Sequence, residues 1–250
     1  MDQQVALVLG ADLSHFEALI SQLMSSANDQ RSQAEALFNL CRERHPDALV
    51  LKLGQVLHSS QPLDIRAMSA VLLRKQLASS GGDSDESPSY VWTRLNPATQ
   101  SSIKSILLSA VQREETKSLS KKLCDTISEL ASNLLPDGAW PELLPFMFQA
   151  VTSDSLRLQE SSLLIFSQLA QYIGDMLLPH LPTLHSVFLN SLSHSVSPDV
   201  RIAALGASVN FVQCIESTAD RERFQDLLPA MMRTLTEALN SETRQTPRRL

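Results

Sequence analysis

Two short sequences in this chain match the spacing of an acylating serine followed by a lysine. They are Ser101-Ser-Ile-Lys104 and Ser118-Leu-Ser-Lys121. The motif fixes only two positions in a serine-rich chain, and the Ser-Asp-Asn and Lys-Thr-Gly elements that accompany it in such enzymes are absent from the sequence. We therefore interpret both lysines as parts of solvated helix faces.

Histidines and glycines give no stronger indication of chemistry. None of the six histidines has a second histidine four residues away, which is the spacing of helical zinc sites. His180 and His185 are five residues apart, which places them on different faces of a helix. Gly81-Gly82 is not part of a phosphate-binding loop, because no Gly-Lys pair follows it. We predict that the chain is not an enzyme and uses no metal or cofactor.

The overall charge limits the class of partner. The chain has 21 Lys and Arg against 27 Asp and Glu, which gives a net charge of -6. Because binding to phosphates requires clustered basic side chains, we predict no direct contact with nucleic acid and expect basic protein partners. No apolar run approaches the ~18 residues of a membrane span, and no secretory signal is visible, so we predict no membrane insertion.

The three cysteines indicate the compartment. Cys41, Cys124 and Cys214 are far apart in the sequence, odd in number and each within a helical pattern. This usage is typical of reduced, buried thiols in a soluble intracellular protein rather than of a disulfide framework.

The helical pattern is clearest between Ser197 and Ile215. Ser197 is a candidate N-cap, Pro198 occupies the first helical position, and Asp199 favours the first turn. Apolar residues then recur at helical spacing: Val200, Ala203, Ala204, Ala207, Phe211 and Ile215. Similar stripes recur along a chain with only 7 glycines, so we predict an all-α protein.

These stripes form consecutive helix pairs. In four of the pairs an arginine lies near the start of the second helix, at Arg31, Arg66, Arg157 and Arg201. Two helices per unit at intervals of roughly 40–47 residues indicate HEAT or armadillo repeats. We predict a right-handed HEAT-repeat α-solenoid of about five and a half helical pairs within residues 1–240. The predicted pairs are 13–44, 46–79, 96–135, 140–174 and 177–217, followed by a lone helix at 221–240.

Three segments depart from this pattern. Residues 1–11 are predicted to form one loose helical turn, and residues 80–93 an exposed acidic loop, either merely solvated or docking a basic partner. Residues 241–250 are predicted to be a divergent C-terminal tail.

Longer strings near the start of the chain resemble a known family. Residues 16–26 (FEALISQLMSS), 31–40 (RSQAEALFNL) and 66–75 (RAMSAVLLRK) are similar to the amino-terminal segment of importin-β family nuclear transport receptors, or karyopherins. The resemblance covers roughly residues 5–240 and implies an N-terminal portion only.

Later strings resemble one branch of that family. Residues 121–131 (KKLCDTISELA), 140–146 (WPELLPF) and 224–231 (FQDLLPAM) look like the importin-5 branch, and the plant members most closely. After Leu239 the sequence stops resembling the family. We therefore expect a truncated N-terminal part that is a poor carrier on its own, with one apolar face of its last helix exposed as a liability for association.

The resemblance implies a receptor that carries basic cargo, such as ribosomal proteins or histones, and shuttles between cytoplasm and nucleus through the nuclear pore. It implies that the GTPase Ran in its GTP form binds the first repeats and releases cargo, and that nucleoporin Phe-Gly repeats dock between the outer helices. The candidate Ran-binding residues are Arg31, Glu35, Arg66, Arg74 and Lys75, on the second helices of the first two pairs. Each of them either contacts Ran or holds adjacent repeats together.

Two further observations leave alternatives open. The basic clusters at Arg74-Lys75 and at 117–122 are either solvated helix faces or a contact surface. The repeat pattern also fits a HEAT scaffold that binds protein partners without Ran dependence. Nucleotide-dependent Ran binding distinguishes the scaffold from the receptor.

Overall fold

The computed structural model describes residues 2–78 and 91–245, and in these residues every regular element is a helix. The chain forms two compact units, Met1–Leu130 and Ala131–Leu250. The all-α class predicted from the sequence is thereby confirmed for the described residues.

The first unit contains the helices of the first three pairs. They are α1 (Asp2–Val8), α2 (Leu13–Leu23), α3 (Asn28–Arg44), α4 (Pro46–Ser59), α5 (Leu63–Leu77), α6 (Val91–Arg94), α7 (Pro97–Arg113) and α8 (Lys117–Leu134), whose last turn belongs to the second unit. α2 packs on α3, α4 on α5, and α4 also packs on α7 of the following pair.

The second unit continues the same alternation. Its helices are α9 (Leu143–Val151), α10 (Leu156–Leu177), α11 (Leu181–Leu192), α12 (Pro198–Cys214), α13 (Thr218–Glu222) and α14 (Leu228–Gln245). Single 3-10 turns lie at Leu178–His180 and Gln225–Leu227. The most extensive contact within this unit joins the successive second helices α10 and α12.

Local sequence signals explain where several helices begin. The Ser197 hydroxyl accepts a hydrogen bond of 3.2 Å from the Val200 amide, which confirms the predicted cap of α12. Asn96 caps α7 in the same way, at 2.8 Å from the Thr99 amide. Asp12 caps α2, and the hydrogen bond from the Ser14 amide lowers the pKa of the Asp12 carboxyl.

The two ends of the chain differ from expectation. α1 is a helix of 7 residues with Val5 and Val8 buried, rather than one loose turn. It contacts both α2 and α3, which supply the apolar surface that orders it. At the other end α14 continues to Gln245, so residues 241–245 of the predicted tail are helical.

Prolines explain two further differences. The helix predicted over 221–240 is divided into α13, a 3-10 turn and α14, and the helix predicted to start at 177 begins at Leu181 after a 3-10 turn. Pro229 and Pro182 occupy the second positions of α14 and α11. Since a proline has no amide hydrogen to continue a preceding helix, both helices start beside it.

The predicted acidic loop at 80–93 lies mostly outside the described residues. Its last three residues differ from the prediction, because 91–93 form part of α6. Trp92 in this short helix is buried, and its carbonyl accepts a 2.9 Å hydrogen bond from the Gln100 side chain. Burial of the aromatic ring therefore orders these residues.

A cluster of three aromatic rings holds the second unit together near its C-terminal end. Phe188 of α11, Phe211 of α12 and Phe224 before α14 have ring centroids 5.8 to 6.4 Å apart. Beside them the His185 Nε2 atom lies 2.7 Å from the Asp226 Oδ1 atom. The cluster fixes the last helix against the preceding pair, because tilted aromatic pairs add to the free energy of burial.

In the first unit, Gly54 sets the distance between α4 and α7. A Cβ atom at this position would lie 3.1 Å from Ile106 Cδ1 and 3.3 Å from Ile106 Cγ2. We expect Gly54→Val to lower the free energy of unfolding by about 1–3 kcal/mol, because the side chain would push the two helices apart.

The matched control uses alanine at two helical glycines. A Cβ at Gly206 of α12 meets only the Ser167 hydroxyl, at 3.6 Å. Gly206→Ala should raise the free energy of unfolding by up to about 1 kcal/mol, because alanine has the higher helix propensity. Gly54→Ala should have a lower free energy of unfolding than Gly206→Ala, and urea denaturation measures both values. Equal gains at both positions would show that α4 and α7 do not need the glycine.

The cysteines differ in their exposure. Cys41 and Cys124 are fully buried, whereas Cys214 is partly exposed. Burial also raises the pKa of the Cys41 thiol, which lowers its thiolate fraction.

We expect iodoacetamide to label Cys214 first in the native protein, and Cys41 and Cys124 only on unfolding. Peptide mass spectrometry measures this order, and labelling of Cys41 as fast as Cys214 would contradict the packing of α3.

Candidate protein-binding surface

The five candidate Ran-binding residues lie on α3 and α5, and α8 carries further basic residues beside α5. The Thr126 hydroxyl of α8 donates a 3.2 Å hydrogen bond to the Ala70 carbonyl of α5. This contact packs the second helix of one pair directly on that of the next. Side chains of α5 and α8 can therefore act as one surface, which we call the α5–α8 face.

Arg31 and Glu35 form a local pair on α3. The Arg31 Nη2 atom donates to Asn28 Oδ1 at 2.7 Å, and its Nε lies 3.8 Å from Glu35 Oε1. About half of each side chain is exposed. Both residues are therefore accessible to a partner, and their mutual attraction is screened by solvent.

Arg66 has a different environment. Its Nε donates to the Leu57 carbonyl of α4 at 3.2 Å, and its Nη2 donates to the Glu114 carboxylate between α7 and α8. Glu114 is only 3% exposed, and its other oxygen accepts the Thr116 amide at 2.8 Å. Because its donors are directed to neighbouring helices, Arg66 joins two repeats.

Arg74 and Lys75 lie near the end of α5. The Arg74 Nη1 atom is 3.3 Å from Asp125 Oδ2 of α8, and both side chains are partly exposed. Lys75 is exposed, as is Lys121 on α8. The two ammonium groups add positive potential to the α5–α8 face, where the Arg74 charge is balanced by Asp125.

The same arginine arrangement recurs in the second unit. Arg201, the fourth residue of α12 as Arg66 is of α5, donates 2.8 Å and 2.9 Å hydrogen bonds to the His194 carbonyl and to Glu237 of α14. Sequence reasoning found these arginines from their position after the cap, but it missed Glu114 and Glu237. The carboxylates are 48 and 36 residues beyond their arginines, so no fixed spacing identifies them.

Other kinds of site have no support in the part of the chain that is described. No group of three or more potential metal ligands is found in residues 2–78 and 91–245. Within the same ranges, no helix combines the length and apolar character needed to cross a bilayer. What the arrangement offers is an exposed charged surface on packed helices.

We expect Arg66→Ala to be far more destabilising than Arg31→Ala. Removing Arg66 leaves the buried Glu114 carboxylate without its counter-charge, which should cost about 2–4 kcal/mol, whereas the exposed Arg31 pair should cost less than about 1 kcal/mol. Urea denaturation of both variants measures the difference.

A double variant tests the cause of that loss. Adding Glu114→Gln to Arg66→Ala should restore part of the lost stability, since the uncompensated charge is removed. If Arg66→Ala is no worse than Arg31→Ala, the ion pair does not hold the repeats together.

Comparisons with known proteins agree with this architecture. The model of the family described as IPO5-like, TPR repeats matches residues 115–250, just over half of the chain. That range includes residues 241–250, which the sequence alone led us to expect outside the resemblance. TPR and HEAT units are both stacked helix pairs, so the description fits the observed helices.

The relatives are importins. The chain is 28% identical over 225 residues to a probable importin-5 homolog of Dictyostelium discoideum and 28% identical over 227 residues to importin subunit beta-3 of Saccharomyces cerevisiae. In both cases 89% of this chain matches 20% of the relative, so the chain spans about a fifth of their length.

A solved structure, Kap121p bound to RanGTP, matches the fold. It superposes with a TM-score of 0.70 and 26% identity, covering 96% of this chain and 20% of that one. Its repeats are of the HEAT type, which confirms the predicted repeat class. The chain therefore belongs to the importin-5-like family of importin-β nuclear transport receptors, of which it represents an N-terminal portion.

Proposed function

We propose that this chain provides the Ran-responsive part of a nuclear import receptor that carries basic protein cargo. One observation carries the proposal: 96% of the chain superposes on Kap121p in a structure of that protein with RanGTP. The family consists of transport receptors, not enzymes. The chain spans about a fifth of the length of its relatives. The transport activity of a whole receptor is therefore part of this proposal.

The environment of the candidate residues divides them into two groups. Arg66 is committed to Leu57 and Glu114, and we assign it to repeat stacking. Lys75 is exposed, and Arg31 and Glu35 are about half exposed, so we assign these three to partner contact. Arg74 shares its charge with Asp125 and is exposed enough to exchange partners.

Lys121 is added to the candidate set. It is exposed on α8, which packs on α5, the helix that carries Lys75. Exposed lysines increase the rate of association with an acidic surface, and their effect weakens as salt is added. Ran contact at this face should therefore be salt-sensitive.

The other partners follow from the family and the charge. A net charge of -6 favours basic cargo over acidic proteins. We also propose that nucleoporin Phe-Gly repeats dock on the outer helices. The receptor would shuttle between cytoplasm and nucleus. The second candidate, a scaffold without Ran dependence, is favoured only by the repeat architecture, which many binding proteins share.

The decisive experiment is retention of Ran by the immobilised full chain, with Ran loaded either with a GTP analogue or with GDP. We expect preferential retention of the GTP form, decreasing as salt rises from about 0.05 to 0.3 M. Equal retention of both forms would favour the scaffold. No retention would mean either a scaffold or a receptor portion too short to hold Ran, and the same assay on a chain extended through later repeats distinguishes the two.

Charge reversal identifies the surface. The double variant Lys75→Glu/Lys121→Glu should weaken retention of the GTP form by about tenfold, because two attractive contacts become repulsive. Arg221→Glu/Arg223→Glu, which changes the net charge by the same amount at two exposed arginines of the second unit, is the matched control and should leave retention unchanged. Equal loss in both would mean that net charge, not the α5–α8 face, controls binding.

A further inference from the structure

The α5–α8 face carries carboxylates as well as cations. Asp125 and Glu129 lie one helical turn apart on α8, and both are partly exposed. Asp125 follows the exposed Lys121 by the same interval, so the three side chains lie along one side of α8. The Asp125 Oδ2 atom also lies 3.3 Å from the Arg74 Nη1 atom of α5. This side of α8 therefore begins with a basic group and continues with two acidic groups.

The helices α5 and α8 run in the same direction. Arg66, near the start of α5, bonds Glu114 just before α8 begins. Further along α5, the Ala70 carbonyl accepts the hydrogen bond from Thr126 of α8. Contacts thus advance along both helices together, as is expected for the second helices of successive repeats.

This register separates the two exposed lysines of the face. Ala70 is level with Thr126, an offset of 56 residues, so Lys75 is level with residue 131 of α8. At 1.5 Å per residue, that level lies about 15 Å beyond Lys121 along the helix axes. Both carboxylates of α8 lie between these two levels. The face therefore has basic groups toward its two ends and acidic groups between them.

Alternating charge of this kind discriminates between classes of partner. Duplex DNA carries a phosphate about every 3.4 Å of each strand, so a strand that bridges the two lysines also brings phosphates close to both carboxylates. Like charges brought together at an interface suppress a wrong partner. A protein surface can instead present acidic groups to the lysines and hydrogen-bond donors or basic groups to the carboxylates.

The pair of Arg74 and Asp125 adds to this discrimination. The two side chains are 41% and 38% exposed, so a partner can reach both of them. A phosphate that approaches Arg74 must compete with the Asp125 carboxylate, which stays close by after it is displaced. Exposed ion pairs are weak, so a protein that supplies both an acidic and a basic group can exchange with both members of the pair.

We propose that Asp125 and Glu129 are specificity-determining residues of the α5–α8 face, which exclude polyanions such as nucleic acid and admit a protein surface of mixed charge. This inference rests on the proposed function, since it takes this face as the partner-binding surface. It goes beyond the net charge of -6, because the charges that discriminate lie on the face itself. Neutralising two carboxylates elsewhere changes the net charge equally but leaves the face as it is.

Fluorescence anisotropy of the full chain with a labelled DNA duplex tests the exclusion. At about 0.05 M salt, Asp125→Asn/Glu129→Gln should bind the duplex about tenfold more tightly than the unchanged chain, and the gain should disappear near 0.3 M salt. These substitutions preserve the shape of both side chains and remove only their charge.

The matched control is Asp137→Asn/Glu142→Gln, which removes the same charge from two exposed carboxylates of the second unit. It should bind the duplex within about twofold of the unchanged chain, since it does not alter the α5–α8 face. Equal gains in the two variants, or no gain in Asp125→Asn/Glu129→Gln, overturn the inference.

Retention of Ran separates this inference from the proposed function. Asp125→Asn/Glu129→Gln should retain the GTP form of Ran within about threefold of the unchanged chain, because a partner of mixed charge loses favourable contacts along with the repulsion. A gain for Ran as large as that for DNA would show that the carboxylates do not select a partner, and would overturn the inference. If the unchanged chain retains no Ran, the proposed function loses its support, whereas the DNA measurement still decides whether the carboxylates exclude polyanions.

Discussion

Helix pairs in residues 2–78 and 91–245 cover their apolar surface only together with neighbouring pairs, and the structure depends on that constraint. α4 packs on α5 but also on α7 of the next pair, and α12 packs on α11 but more extensively on α10 of the preceding pair. Burial of apolar area is the dominant favourable contribution to folding. Each pair is therefore stable only with its neighbours, as is general for helical repeats.

Arginines add direction to this non-directional packing. Arg66 bonds the Leu57 carbonyl in the last turn of α4, and Arg201 bonds the His194 carbonyl just after α11. Each also bonds a carboxylate of the next pair. A guanidinium group has donors in a fixed planar arrangement, so it can connect two neighbours only at a defined register. Arg66 and Arg201 are thus occupied by the repeat stack, whereas Arg31, at the same helix position, remains half exposed.

The charged groups that stabilise the repeat stack are therefore different from the exposed charged groups. Salt or partner charge can change affinity at the proposed Ran-binding surface without loss of the fold, because its exposed lysines do not support the core. The buried Glu114 carboxylate is different, because the fold is stable only while this charge is paired with Arg66.

The sequence by itself determined the helical class, the positions of most helix pairs and the family. Caps such as Ser197-Pro198 act within one helical turn, and apolar stripes repeat within one helix, so both can be recognised from local spacing. The breaks at Pro182 and Pro229 were also encoded locally, although the apolar pattern running through them concealed the boundaries.

Only the tertiary structure decided which charged residues are available. Arg31 and Arg66 occupy the same position in their helices, yet one is half exposed and the other bonds to a buried carboxylate 48 residues away. That difference depends on the length of intervening segments and on which helix packs beside α5. Burial and pairing across such distances are properties of the assembled helices, because a contact between repeats has no fixed spacing along the chain.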